Sequence, residues 1–219
     1  MIIKKNIKAN FWIRTLATLI DLLIFIFITI STSFLVFNYK KGDFHTENTV
    51  YKEIIYRFWL LFLIVFLVFW YILIPIISRG QTVGMLICKI KILPTEKNDK
   101  KLSKVIFDRQ RLFSFLWMFV FISFMLLSTD AFLKAARGNK LNNVEKLILS
   151  IPTALSVIAI NIQLFILITG IKANRINLND KFSNSLTVWK NKYEEIINEE
   201  DNKKIMPKKR VLPEVNLIE

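Results

Sequence analysis

No charged residue occurs between Leu22 and Tyr39, and the apolar stretch that contains this run, Ala9 to Tyr39, is broken by charge only at Arg14 and Asp21. As a helix, a run of that length crosses about 30 Å of hydrocarbon. Lipid offers the backbone no hydrogen bonds, so such a segment must be helical, and its polar side chains must find protein. A carboxylate roughly a third of the way along is costly there, which turns Asp21 toward a protein interior. Arg14 and Asp21 are seven residues apart and share one helical face, about 10 Å apart along the axis. That is too far for direct contact on a straight helix, so each charge needs its own partner.

Composition agrees with a membrane chain: 53% of the 219 residues are hydrophobic and nineteen are Phe. In a soluble protein the net charge of +14 would point to nucleic acid. Here the basic residues are first topology determinants beside anionic lipid, and no nucleic-acid partner is expected. Cys88 is the only cysteine, so no intrachain disulfide can form. The first apolar run is too long for a cleaved leader, and Ser31, Thr32 and Ser33 lie inside it, so it is expected to be retained.

Four spans are expected, at about residues 13–37, 54–77, 112–129 and 148–171, giving an all-α integral membrane fold built as a four-helix transmembrane bundle. Pro75 kinks or finishes the second span, and Pro152 is read in the first turns of the fourth, where a missing donor is tolerated. Lys4, Lys5 and Lys8 precede the first span, and residues 78–111 hold nine Lys and Arg against Glu96, Asp99 and Asp108. Segments 38–53 and 130–146 carry only three and four basic residues. The positive-inside rule then puts the N- and C-termini and segment 78–111 in the cytoplasm. This makes it a multi-pass membrane protein. Residues 1–188 form the transmembrane domain, and 189–219 form a charged cytoplasmic tail. Running from the end of that domain into the tail, Thr187 to Ile197 is read as a short surface helix with Trp189 and Tyr193 on one face. Beyond it, the cluster Lys208, Lys209 and Arg210 belongs to a mobile tail near lipid head groups.

Asp21 is either a packing carboxylate or a proton- and cation-responsive group. For depth, its best partner in the fourth span is Asn161, with Ser156 and Gln163 as the other polar groups there. Arg14 either snorkels to lipid phosphates or pairs with Asp108 or Asp180, and Arg109 and Arg111 face the same choice. A carboxylate held between two arginines would anchor the inner segments to the bundle. Gly80-Gln81-Thr82-Val83-Gly84 supplies two glycines for positive φ or close backbone approach and a cap in Thr82. It lacks the Lys-Ser/Thr of a nucleotide loop. Lys89 to Ile92 alternates and reads as an extended strip ended by Pro94. His45 is the only histidine, so no histidine-based metal centre, cofactor or catalytic set is expected, and the chain is not read as an enzyme.

These residues carry a family pattern. Phe11, Arg14, Ala17 and Asp21 resemble the F-x-x-R-x-x-A-x-x-x-D helix of the RDD family of bacterial multi-spanning membrane proteins. Gly80 to Gly84 with Ile90-Lys91-Ile92 is similar to that family's G-x-T-x-G-K…G-x-x-V stretch. Arg175 and Leu178 to Ser185 stand in the place of its L-H-D-x-x-A-G-T, with Asp180 as the second aspartate. Met85 replaces the usual lysine, Lys89 a glycine, Asn179 the histidine, Asn184 a glycine and Ser185 the threonine. The resemblance implies Arg14, Asp21 and Asp180 in a polar core with Thr82, Gly84 and Arg175 at the cytoplasmic mouth, and the reading of the residues adds Asn161 to the core and Asp108, Arg109 and Arg111 to the mouth. The same resemblance implies the plasma membrane of a bacterial cell. It also implies transport, including cation–proton exchange through the intramembrane carboxylate. The alternative is a non-catalytic scaffold or accessory subunit. Four spans without an inverted repeat hardly supply two gates, so transport would call for a homo-oligomer or a partner membrane protein. Otherwise the expected partner is the bilayer with its anionic head groups.

Overall fold

The computed structural model describes residues 2–95, 100–171 and 176–197. The expected Arg175 and the Lys208–Arg210 cluster lie outside the described residues.

Helix α1 (Phe11–Val36) follows the apolar run noted above. Its hydroxyl residues do not need outside partners, because Thr15, Thr18, Thr29, Ser31 and Thr32 each donate to the carbonyl four residues back. Arg14, Ala17 and Asp21 form its buried face. Helix α2 (Thr49–Val68) runs through a π-helical turn, Phe69–Leu73, into the short α3 (Ile74–Ile77). Pro75 has no N–H to offer the carbonyl four residues back, and just before it the Ile74 N–H reaches five residues back to Phe69. The widened turn is thus the form Pro75 takes in the second span.

The Gly80–Gly84 segment divides its work as the sequence suggests. Gly80 turns at φ +91°, where a Cβ would also meet the Ile92 carbonyl at 2.6 Å. Thr82 caps α4 (Val83–Ile87) by accepting from the Met85 N–H. Gly84 lies so close to α1 that a Cβ would strike the Ala17 carbonyl oxygen. Strand β4 (Ile90–Pro94) follows, as the alternation indicated.

Three expectations give way. The third helix is longer at its start than the apolar run expected as a span: α5 (Leu102–Met125) begins ten residues before that run, because its first turns bury Val105, Ile106 and Arg109 against protein. It ends at Met125, and α6 (Thr129–Ala136) leaves it at 104°. Glu53 pins that bend, accepting from the Thr129 N–H and hydroxyl at 2.9 Å each. Helix α7 (Asn143–Ile168) starts at an Asn142–Glu145 capping box rather than at the hydrocarbon edge. Pro152 therefore sits inside the helix, not in its first turns. Finally, the fold is not all-α. The chain from Ser185 to Ile197 is strand β5, not a surface helix.

Strand β5 is the middle of an antiparallel sheet of order β1-β5-β4, with β1 being Ile2–Lys8. Trp189 and Tyr193 suggest a helical face, but the pattern that prevails is the period of two through Ser185, Thr187 and Trp189 on one side. A second, two-residue pairing joins β2 (Phe37–Asn38) to β3 (Asp43–Phe44) at the opposite end, within an aromatic cluster of Phe37, Phe44, Tyr56, Trp59 and Phe132.

The protein is thus mostly helical, with α1, the α2–α3 unit and α7 each long and apolar enough to cross a membrane, and the bent α5–α6 pair adding a fourth if it is one span.

Candidate functional site

The sheet end of the bundle gathers two buried carboxylates with opposite surroundings. Asp180 stands on α8 (Leu178–Ser183), a helix opened by the Asn177–Asp180 capping box. One carboxylate oxygen accepts from Arg14 of α1 at 2.5 Å and from the Asn177 N–H at 3.0 Å. The other accepts from Arg109 of α5. Arg109 is itself fixed by β5, donating to the Ser185 hydroxyl at 3.1 Å and the Thr187 hydroxyl at 3.0 Å. Burial pushes the Asp180 carboxyl up, but the charges of Arg109 and Arg14, with the hydrogen bonds, outweigh it and hold the group below its ordinary range. The two side-chain carboxylate oxygens are fully buried. One ionised group therefore ties α1, α5, α8 and β5 together.

Asp21, two turns along α1, is also buried, at 3% exposure. It accepts from the Thr82 hydroxyl at 2.6 Å and from the Gly84 N–H at 2.8 Å. Both donors are neutral. Among the described residues no lysine or arginine pairs with it. Close approach of Gly84 to Ala17 is what brings that N–H within reach. Asp21 also lines a cavity of about 450 Å³ enclosed by α1, α5 and α7, shared with Arg14, Arg109, Gln110, Gln163 and Asn179.

Of the residues singled out from sequence, Arg14, Asp21, Thr82, Gly84, Arg109 and Asp180 come together at this end. Three others do not. Asn161 is exposed on α7 and donates to the Val157 carbonyl of its own helix. It shares mid-depth with Asp21 but not a facing side; the cavity-facing polar residue of α7 is Gln163. Asp108 pairs with Lys100 at 3.0 Å and lies 3.7 Å from Arg111, so neither joins Arg14. The sequence reading named Ser185 only as the family's threonine position, without its contact to Arg109, and missed Thr187, which it placed in a helix. It also missed Asn177, whose spacing to Asp180 is a legible cap signal.

The expected Met85 and Asn179 positions also have physical explanations. Met85 is buried where a charged side chain would need a partner, and Asn179 lines the cavity. Among the described residues no three His, Cys, Asp or Glu gather as a metal group.

The sequence model of the RDD family matches residues 8–184. No curated protein and no solved structure matches the chain. Proteins of the matching family are not known as enzymes.

Proposed function

This chain belongs to the RDD family of membrane proteins, and from that premise we propose that it handles a proton or small cation at Asp21. It is a multi-spanning membrane protein, consistent with the bacterial plasma membrane and with lipid contact. In the proposed topology the α5–α6 pair is the third of four spans, and both termini are cytoplasmic. The positive-inside distribution supports this, with basic residues concentrated at the N-terminus and in segment 78–111. Residues 1–188 are the working unit, with β5 carrying on from it into the charged tail.

One observation carries the ion-handling reading. Asp21 is a buried carboxylate on the wall of a cavity, with two neutral donors and no paired cationic side chain. An ionised carboxylate held that way inside a low-dielectric bundle is costly, so it is relieved by a proton or by a bound cation. That is the exchange a coupled transporter needs. With one bundle and no internal repeat, two gates would come from a homo-oligomer or a partner membrane protein.

Purified protein in vesicles loaded with a pH-sensitive dye tests this. An imposed sodium or potassium gradient is expected to drive proton flux that Asp21→Asn abolishes. Unchanged flux in that variant removes Asp21 from the mechanism.

A second reading has its own support. Both Asp21 oxygens are already used to hold α4 against α1, as a purely structural carboxylate would be. In that case the chain is a non-catalytic scaffold or accessory subunit, and vesicles bearing the wild-type protein show no cation-driven flux at all.

A further inference from the structure

Three amides and a phenol line the cavity beside Asp21 without a hydrogen bond of their own. Gln110 of α5, Gln163 of α7 and Asn179 of α8 stand on its wall, and among the described residues their side-chain amides make no hydrogen bond. Tyr71 lines it as well, at 7% exposure. Its ring meets Phe25 and Phe113, but its hydroxyl makes no hydrogen bond among the described residues. Enclosed polar groups are as a rule paired, so four such groups on one cavity point to a guest. The charged side chains on the same wall are engaged already. Arg14 and Arg109 both hold Asp180, and Arg109 also donates to Ser185 and Thr187. Asp21 uses its two oxygens on Thr82 and Gly84. The hydrogen-bonding capacity left over is therefore that of neutral groups.

Polarity changes along the cavity. Gln110, Phe113 and Trp117 succeed one another on one face of α5. At 1.5 Å per residue, Trp117 lies about 10 Å beyond Gln110. Gln110 is followed by Arg111 and then by the uncharged run that opens at Leu112, so the amide end sits at head-group depth and the aromatic end in hydrocarbon. The cavity also opens sideways. α7 packs chiefly on α5, while α1 packs on α4 and α2, which leaves the α1–α7 side thinly filled. Leu19 of α1 and Leu164 of α7 line the cavity there and are about half exposed. Both helices are apolar enough to cross a membrane. The volume of about 450 Å³ falls in the range of about 300–1,000 Å³ typical of small-molecule sites.

We propose that this cavity binds an uncharged lipid whose head carries hydroxyl and ester oxygens, of the acylglycerol kind. A side-chain amide suits that head, because its NH2 donates to the ester carbonyl while its oxygen accepts from a hydroxyl. The lipid enters between α1 and α7, sets its head against Gln110, Gln163 and Asn179, and lays its chain along Phe113 and Trp117. Its binding does not depend on ion handling at Asp21.

The test places the full chain in phosphatidylcholine nanodiscs and titrates it with a monoacylglycerol brominated on its chain. The alkane, the alkyl sulfonate and the alkyltrimethylammonium of the same brominated chain are titrated separately. Heavy-atom quenching of Trp117 is read as the difference from Trp117→Phe. Saturable quenching at one monoacylglycerol per chain is expected. Gln110→Leu should weaken it about fivefold, the equivalent of one net hydrogen bond, and leave the alkane unaffected. Gln163→Leu should do the same, so the result does not hang on the folding of one variant. Thr18→Phe with Leu164→Phe fills the slot and should abolish the saturable component. Equal affinity for the alkane shows that the head is not read and overturns the proposal. Tighter binding of the sulfonate overturns it too, as does tighter binding of the trimethylammonium that Asp21→Asn removes, which would make the carboxylate the head-group site. Quenching that rises without saturation and survives the filled variant marks annular lipid and overturns it as well.

Discussion

Asp180 and Asp21 are both buried aspartates at the same end of the molecule, yet their neighbours differ in kind. Asp180 has two guanidiniums, and its charge is matched within the protein. Asp21 has a hydroxyl and an amide N–H, which orient a carboxylate without neutralising it. The difference separates holding from responding. A carboxylate between two arginines stays ionised and works as a clamp between segments distant in sequence. A carboxylate with only neutral donors keeps its geometry across protonation states, since those donors serve either form. Position alone would not have distinguished them, because both are nearly inaccessible.

The largest expected effect falls on the clamp. Asp180→Asn leaves Arg14 and Arg109 buried without their counter-charge, at a cost of about 3–5 kcal/mol. Folded yield and thermal unfolding in detergent should both fall sharply. A near-normal melting temperature would mean that the clamp is not what joins α1 to α5 and α8.

Acid sharpens the same point. The Asp180 carboxyl is held below its ordinary range, so its stabilisation is fully present above the unfolded value of about 3.9. It is lost as pH falls through the lower folded value. Unfolding followed from pH 7 downward should therefore show this contribution intact to below pH of about 4. Its early loss near neutrality would contradict the pairing.

Gly84→Ala comes next and acts on the other carboxylate. The new Cβ meets the Ala17 carbonyl, and backbone cannot give way as a flexible side chain would. Overpacking of this kind costs about 1–3 kcal/mol, and it should push α4 away from Asp21. A thermal melt unaffected by this substitution would show that the close approach is not needed.

Asp21→Asn should be the mildest for stability, under about 1 kcal/mol, because an amide can accept from Gly84 and donate to the Thr82 hydroxyl. The contrast with Asp180→Asn, the same chemical change at similar burial, is the sharpest form of the comparison. Equal losses in the two melts would erase it.

Much of this was legible in sequence, and the rest was hidden for physical reasons. The shared face of Arg14 and Asp21 followed from a spacing of seven, and the two roles of Gly80 and Gly84 from what glycine alone permits. Departures from the family pattern also make sense in the backbone. Asn184 takes φ +47° as the left-handed C-cap of α8, which Asn tolerates nearly as glycine does, and Lys89 holds φ +54° where the family has glycine. Partners of Asp21 were not legible from depth, because depth says nothing about which way a helix is turned. Asn161 is at a suitable height and faces outward. Likewise, Ser185 and Thr187 both reach Arg109 because β5 is a strand in which residues two apart share a side, and a helical reading of Thr187 to Ile197 hid the second of them.

Infrared difference spectroscopy of the vesicle-embedded protein tests the division of labour most directly, comparing spectra before and after a pH or cation jump. The account predicts the carbonyl band of a protonated carboxylic acid that appears or vanishes with the jump in wild-type protein and is missing in Asp21→Asn. A spectrum with no such band, or with a band that Asp21→Asn leaves in place, would contradict it.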